Sequence, residues 1–292
     1  MPAFLRPRSL DDAIALLGAA GGTRVPVAGG TDVYPARAAA EAWGRPYPRD
    51  LVDLTGIAGL GGIREDAEGL RIGALATWTE LVETPLPAWF DGLKAAARQV
   101  GGVQVQNRGT LAGNLCNASP AADGVPALLA LDAAVEIAGP AGRRTLPLDR
   151  FIVGNRKTVL AAGELVTAIL VPRRPAATRA AFAKLGARAY LVISIAMVAG
   201  VIEPTADGRV ARASVAVGAC SEVARRLPAL EDALRGRPLD GTLAAAATAA
   251  HLDGLTPIDD VRGSAGYRSE AALVLVRRVL DELARGAGRK AA

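Results

Sequence analysis

The spacing of apolar residues predicts a small lobe at the start of the chain. Leu10, Ile14 and Leu17 recur at helical spacing behind Ser9, which begins a capping-box pattern, and Gly18 marks the end of the helix. Two short apolar runs further along are typical of buried strands. We therefore expect a strand–helix–strand lobe over residues 1–58, with strands at 25–28 and 51–54 and an alanine-rich stretch at 36–42.

From residue 62 the pattern changes to paired short strands and amphipathic helices. Phe90, Leu93 and Ala97 share one helical face. Serine is a favoured N-cap and proline a favoured first helical residue, so Ser119 and Pro120 predict the start of another helix. These features predict a second lobe over residues 59–172, with strands at 70–74 and 134–138 and helices from near residues 77, 86 and 120.

The segment from Val171 to Pro175 separates the second lobe from a strand-rich region. Three apolar runs there predict strands, and alanine-rich helices follow them as far as residue 285. We expect a smaller C-terminal domain over residues 176–286, with strands at 180–185, 192–203 and 210–218. The fold class predicted for the chain is α+β.

Composition narrows the class of protein. The chain has 292 residues, 51% of them hydrophobic, which is enough apolar material for conventional folding. Its net charge of +5 comes from dispersed basic residues, so nucleic-acid binding is not expected. The longest apolar stretch, 191–202, is far shorter than a bilayer span, and the N-terminus lacks the apolar core of a signal peptide. We therefore expect a cytoplasmic protein without a membrane span.

The cysteine and histidine content limits the metal and thiol chemistry expected of this chain. With only Cys116 and Cys220, the sequence predicts neither a disulfide framework nor a four-cysteine iron–sulfur or zinc site. We interpret Cys116 as a small buried filler and assign no catalytic role to His251, the single histidine. Neither the glycine fingerprint of nicotinamide sites nor a phosphate loop of the P-loop type occurs.

Two glycine-containing loops carry the candidate chemistry. Residues 28–32 read AGGTD and follow an apolar run, and residues 107–123 read NRGTLAGNLCNASPAAD. Glycines permit close backbone approaches, while the neighbouring threonines, amides and carboxylates supply hydrogen bonds. One such loop is commonly only a turn, whereas two of the same character fit a long ligand with a pyrophosphate and several hydroxyls. The sequence therefore predicts a dinucleotide site.

Both loops resemble those of the FAD-binding medium subunit of the molybdenum hydroxylases, the family of xanthine, aldehyde and carbon monoxide dehydrogenases. The resemblance continues over nearly the whole chain, at PRSLDDA (7–13), LRIGA (70–74), ELV (164–166), VP (171–172), DVRGS (260–264) and YR (267–268). It implies a two-lobed FAD-binding domain of the vanillyl-alcohol oxidase-like (PCMH) type over residues 1–172 and a smaller α+β domain over residues 176–286.

The resemblance also implies which residues hold FAD. Backbone amides of both loops are expected around the pyrophosphate, Asp123 near the ribityl or sugar hydroxyls, Val166 against a ring, and Lys184 reaching over from the C-terminal domain. By residue type alone, Asp123 could serve its own helix, Val166 could be core and Lys184 could be surface charge. The predicted FAD-binding residues are Ala28, Gly29, Gly30, Thr31, Asp32, Thr110, Leu111, Ala112, Gly113, Asn114, Asp123, Val166 and Lys184.

The family implies a function in electron transfer. The chain is expected to carry FAD without a covalent link and to pass electrons from a partner's iron–sulfur clusters to an external acceptor. The implied partners are a large subunit with molybdopterin and a small subunit with two-iron two-sulfur clusters, assembled as a dimer of heterotrimers. Two alternatives stay open: a self-contained flavin oxidase of the vanillyl-alcohol type, and an assembly subunit that has lost its flavin. The sequence identifies neither the substrate nor the acceptor.

The sequence also departs from the family pattern in ways that bear on function. Gln106 stands where the family often has arginine. Carbon monoxide dehydrogenases typically have histidine and serine where this chain has Thr31 and Asp32 after the paired glycines, which disfavours carbon monoxide as the substrate. The chain has no cysteine-bearing insertion, so the additional cluster of 4-hydroxybenzoyl-CoA reductase is not expected.

Overall fold

The computed structural model describes residues 3–19, 21, 23–45, 47 and 49–286. Ser9 caps the first helix by accepting a hydrogen bond from the backbone of Asp12 at 3.1 Å, as its sequence pattern predicts. The first elements of the chain are β1 (Phe4–Leu5), α1 (Leu10–Gly18), β2 (Val25–Val27), α2 (Val33–Ala42) and β3 (Leu51–Asp53). β3 lies between β1 and β2 and pairs with both in parallel. The predicted early helix and both predicted strands are confirmed.

The next region combines one antiparallel sheet with a group of short helices. The strands of this sheet run in the order β4-β5-β10-β6-β7, and β8 pairs with β9 in a separate hairpin. The elements are β4 (Ile63–Glu65), β5 (Gly69–Gly73), α3 (Trp78–Glu83), α4 (Asp91–Ala97), α5 (Val103–Gln106), α6 (Leu111–Asn117), α7 (Gly124–Ala130), β6 (Ala134–Gly139), β7 (Gly142–Pro147), β8 (Ile152–Gly154), β9 (Lys157–Thr158) and β10 (Leu165–Pro172).

The structure corrects the prediction for residues 107–123. A helix, α6, begins inside the stretch interpreted as a loop, because the Thr110 hydroxyl caps it by accepting from the backbone of Gly113 at 3.0 Å. The helix predicted to start at Ser119 and Pro120 begins only at Gly124. Residues 119–122 form a turn instead, closed by the backbone of Ala122 donating to the Ser119 carbonyl at 3.0 Å.

The C-terminal region is a four-stranded antiparallel sheet followed by helices. Its strand order is β11-β12-β13-β14. The predicted strand at 192–203 begins only at Ala196, since residues 187–191 form a bend and residues 192–194 are irregular. The elements are β11 (Arg179–Leu185), β12 (Ala196–Pro204), β13 (Val210–Gly218), β14 (Arg225–Arg226), α8 (Pro228–Leu234) and α9 (Ala265–Arg285), with 3-10 helices at Leu243–Ala246 and Ala249–Leu252.

This C-terminal sheet is covered on both faces. Along β12, Met197 and Val201 join the core shared with α4 and α7, whereas Val198 and Ile202 join the core under α9. Successive side chains of a strand point to opposite faces, so a sheet covered on both sides reads as one continuous apolar run. The shared core fixes the C-terminal sheet against the helices that border the glycine loops.

Two further properties concern the part of the chain that the structure describes. None of its helices is long and apolar enough to cross a membrane. Nor do its histidine, cysteine, aspartate and glutamate side chains gather in a group of three or more that could hold a metal ion.

Candidate functional site

A cavity of about 340 Å³ lies between the early parallel sheet and the helices of the second region. That volume falls within the range of roughly 300–1,000 Å³ that is typical of small-molecule sites. One wall is formed by Leu54 and most of residues 25–33. The other wall is formed by Val100, Val105 and some of the residues in the ranges 74–78, 109–117 and 160–166. Both glycine loops predicted from the sequence therefore face the same cavity.

The two glycine loops touch each other directly. A Cβ atom built on Gly29 would overlap the carbonyl oxygen of Arg108, and one built on Gly109 would lie 3.3 Å from the Thr31 hydroxyl oxygen. Only glycine allows backbones to approach this closely. The two walls of the cavity therefore meet at these loops.

Five consecutive backbone amides of the first glycine loop have no acceptor among the residues that the structure describes. The N–H groups of residues 29–33 donate to no backbone or side-chain acceptor in the described residues, whereas Tyr34 donates to the Gly30 carbonyl at 3.0 Å as α2 begins. Backbone N–H groups need partners, and a run of free ones before a helix is an anion-binding arrangement. The geometry suits a phosphate or pyrophosphate group.

The second glycine loop shapes the cavity, but several of its backbone amides already donate hydrogen bonds within the chain. The backbone amides of Leu111, Gly113 and Asn114 already donate to Ala76 O, Thr110 Oγ1 and Thr110 O, at 3.1, 3.0 and 3.0 Å. A Cβ on Gly113 would meet no neighbour except Thr110 Oγ1, 2.9 Å away, so a side chain there would extend into the cavity. Oδ1 of Asn114, another cavity residue, is buried without a hydrogen-bond partner.

Trp78 supports the second glycine loop and the start of α7, and was missed by the sequence reasoning. Its side chain is buried, and a Cβ on Gly124 would come within 2.6 Å of its ring. The backbone of Trp78 donates to Gly109 O at 3.2 Å, which ties the second loop to the start of α3. The sequence predicts a helix start near Thr77, but no local pattern shows that the next residue packs beneath two distant glycines.

Asp123 and Lys184 form a buried ion pair behind the cavity wall. Their carboxylate and ammonium lie 2.6 Å apart, and the side chain of Lys184 is only 5% exposed. The Ser194 hydroxyl donates to the other carboxylate oxygen at 2.6 Å. Burial raises the pKa of Asp123, while the ammonium and hydroxyl oppose that rise. The pair joins α7 to the C-terminal sheet, and neither residue lines the cavity.

The remaining sequence candidates divide between the cavity and the core. Val166 is buried and lines the cavity, whereas the Leu111 side chain lies in the core. Cys116 is exposed and lines the cavity, contrary to its interpretation as a buried filler. Gln106 donates to the carbonyls of Arg98 and Val100, each at 3.1 Å, and so closes the end of α4.

Comparison with known proteins places this geometry in a family. Residues 2–174 match the family described as the FAD binding domain in molybdopterin dehydrogenase. Residues 180–283 match the CO dehydrogenase flavoprotein C-terminal domain. The chain belongs to the FAD-binding subunits of the molybdopterin dehydrogenases. The family resemblance carried by the two glycine loops is thereby confirmed.

Individual relatives of this FAD subunit are similar over almost their whole length. The nicotine 6-hydroxylase medium subunit of Paenarthrobacter nicotinovorans is 33% identical, over 96% of each chain. The carbon monoxide dehydrogenase medium chain of Hydrogenophaga pseudoflava is 30% identical, over 94% of each chain. In a structure of CO dehydrogenase from Oligotropha carboxidovorans, one chain matches with a TM-score of 0.91 and 30% identity, over 98% of this chain and 99% of that one. These relatives are hydroxylase and dehydrogenase subunits, so the chain is an oxidoreductase subunit.

The cavity fits the cofactor that defines this family of FAD subunits. The free amides of residues 29–33 match a pyrophosphate, and the open face of Gly113 leaves room for it to approach the backbone. The unpartnered Oδ1 of Asn114 is an acceptor that a ligand hydroxyl or amine could satisfy. Aliphatic residues such as Val100 and Val166 supply apolar walls for ring systems.

Proposed function

We propose that this chain binds FAD non-covalently in the cavity and passes electrons from a partner's iron–sulfur clusters to an external acceptor. The run of five amides at residues 29–33, unpaired within the described residues and lining the same cavity as Gly113, carries the proposal. When bound, FAD accepts electrons singly and delivers them singly or in pairs, which suits transfer between iron–sulfur clusters and a two-electron acceptor. The chain's own residues position the cofactor and exclude water from it.

The proposed complex contains a molybdenum large subunit and an iron–sulfur small subunit, assembled as a dimer of heterotrimers. Relatives are named as medium chains or FAD subunits, and one related structure is that of a Cu,Mo-CO dehydrogenase. Two cysteines are too few for a four-cysteine cluster on this chain. We propose the cytoplasm as its compartment, since both cysteines are free thiols.

We also propose that residues 1–172 act as the FAD-binding domain and residues 176–286 as a second domain packed on it. The limits of the two family matches, 2–174 and 180–283, support this division. Relatives of similar identity are named for substrates as different as nicotine, carbon monoxide and xanthine. The proposal therefore assigns no substrate to the complex.

The position of His251 does not favour a self-contained oxidase with a histidine-tethered flavin. The ring lies in a C-terminal 3-10 helix, where Nδ1 accepts from the backbone of Thr248 at 3.1 Å. It does not line the cavity. The intact amide run at residues 29–33 likewise supports a subunit that has kept its flavin.

The proposal is tested by reconstituting the purified chain with FAD. Acid precipitation should release the flavin into the supernatant, and dithionite should reduce the bound flavin. The isolated chain should not oxidise purines, aldehydes or N-heteroaromatic compounds. Purification from the native source should instead recover this chain in a larger complex together with two partner subunits. Flavin that stays with the acid pellet, or substrate turnover by the chain without molybdenum or iron, would contradict the proposal.

A further inference from the structure

A polar bridge beside the cavity joins three parts of the chain, and two of its residues, Asp32 and Asn117, line the cavity. The Asn117 amide, at the end of α6, donates from Nδ2 to Oδ1 of Asp32 at 2.7 Å. The Arg156 guanidinium, from the β8–β9 turn, donates to Oδ1 of Asn117 and lies 4.0 Å from the Asp32 carboxylate. The bridge therefore connects the first glycine loop to α6 and to the hairpin.

The backbone around Arg156 is held in place by the fold. Arg156 has a φ of 58°, in the left-handed region that non-glycine residues rarely adopt. Its N–H donates to the carbonyl of Ala118 at 2.9 Å, and Ala118 is itself left-handed, with a φ of 49°. The adjacent N–H of Asn155 donates to Glu222 Oε1 at 3.0 Å. Such a conformation persists where the surrounding structure determines it.

The bridge lies at a carboxylate whose negative charge would repel a bound pyrophosphate. Asp32 carries a carboxylate in the middle of the amide run that suits a pyrophosphate, and like charges repel. An N-cap aspartate commonly bonds its own helix, but Asp32 makes no such capping bond to α2. Its carboxylate is instead engaged by Asn117 and faces Arg156.

We propose that Arg156 and Asn117 are positioning residues for the FAD pyrophosphate, an inference that rests on the function proposed above. They hold the Asp32 carboxylate away from the phosphates and neutralise its charge. The side chains of Arg156 and Asp32 are 58% and 56% exposed, so their attraction contributes little to folding. The effect of losing Arg156 should therefore appear in cofactor binding and leave the melting temperature almost unchanged.

The test compares FAD dissociation constants of the reconstituted full chain. Arg156→Ala should weaken binding about fivefold, the size expected of a partly screened charge near an anion. Arg156→Lys should retain most of the affinity because it keeps the charge. The control is Arg150→Ala, since Arg150 is exposed, lies nearby in sequence and, within the described residues, forms no ion pair with Asp32. Adding Asp32→Asn to Arg156→Ala should restore affinity, because the repelling carboxylate is then absent.

The outcomes separate this inference from the function on which it rests. Wild-type affinity in Arg156→Ala, with FAD bound normally by the parent chain, would overturn the inference alone. A double variant that binds no better than Arg156→Ala would overturn the charge explanation. Failure of the folded parent chain to bind FAD at all would instead overturn the proposed function. A large fall in the melting temperature of both Arg156→Ala and Arg156→Lys would assign Arg156 a structural role and also overturn the inference.

Discussion

The Cα of Gly29 packs directly against the carbonyl of Arg108, and this contact joins two loops that lie far apart in the sequence. Because neither backbone can move back without opening the wall, the contact fixes the distance between the free amides of the first loop and Gly113 of the second. The cofactor site therefore depends on a packing contact that involves no side chain of Gly29.

Gly29→Ala should open this wall. The new Cβ would overlap Arg108 O, so the loops must separate, and overpacking of this kind costs about 1–3 kcal/mol. We expect FAD affinity to fall by at least about tenfold, corresponding to 1.4 kcal/mol, as measured by flavin fluorescence titration. Gly56→Ala is the matched control, since a Cβ there meets nothing within 4 Å. Wild-type affinity in Gly29→Ala would refute the role of the contact.

Gly113→Val should separate binding from folding. The new side chain would meet only Thr110 Oγ1 within 4 Å and otherwise project into the cavity, where it would exclude the pyrophosphate. Valine is also a slightly better helix former than glycine. We expect the melting temperature of the apo-protein to stay within about 3 °C, a stability change below about 1 kcal/mol, while flavin occupancy is lost. Full flavin content in this variant would remove Gly113 from the site.

Lys184→Met should destabilise the chain. It leaves the Asp123 carboxylate buried without its partner, a change that typically costs about 3–5 kcal/mol. Urea unfolding measures the loss, and Lys157→Met on the exposed hairpin is the control. Adding Asp123→Asn should recover much of the stability by removing the unpaired charge. If Lys184→Met unfolds at the wild-type urea concentration, the pair does not hold α7 to the C-terminal sheet.

Asp260 should make the thermal stability of the folded chain depend on pH. A hydrogen bond from the Arg262 backbone, reinforced by the Arg268 and Arg262 side chains, lowers its pKa from 3.8 to about 2. A carboxyl with a lowered folded-state pKa stabilises the fold above its unfolded pKa and stops doing so as the pH falls through the folded pKa. The melting-temperature difference between wild type and Asp260→Asn should therefore be largest above pH 4 and shrink towards pH 2.

Asp149→Asn, at an exposed carboxylate, provides the reference for general acid effects in this series. A difference between wild type and Asp260→Asn that stays constant from pH 5 to pH 2 would contradict the assignment of the lowered pKa to Asp260.

The C-terminal sheet and the second glycine loop show which elements the sequence patterns predict correctly and which they do not. The predicted strand at 210–218 is β13, with the same bounds, because a short, mostly apolar segment rich in valine and bounded by polar residues favours a buried strand. The start of α6 could not be read in the same way. Thr110 looked like part of a glycine loop, and only the direction of its hydroxyl towards the Gly113 amide makes it an N-cap.

The sequence by itself determined most of the strands, the first helix, the two glycine loops and the family to which they belong, because strand and helix periodicity and loop motifs lie in short runs of residues. Only the tertiary structure decided that Gly29 meets Arg108, that Lys184 pairs with Asp123 and that Arg156 reaches Asp32 through Asn117. These contacts join residues distant in sequence, and they depend on chain packing and the exclusion of water, which no local pattern records.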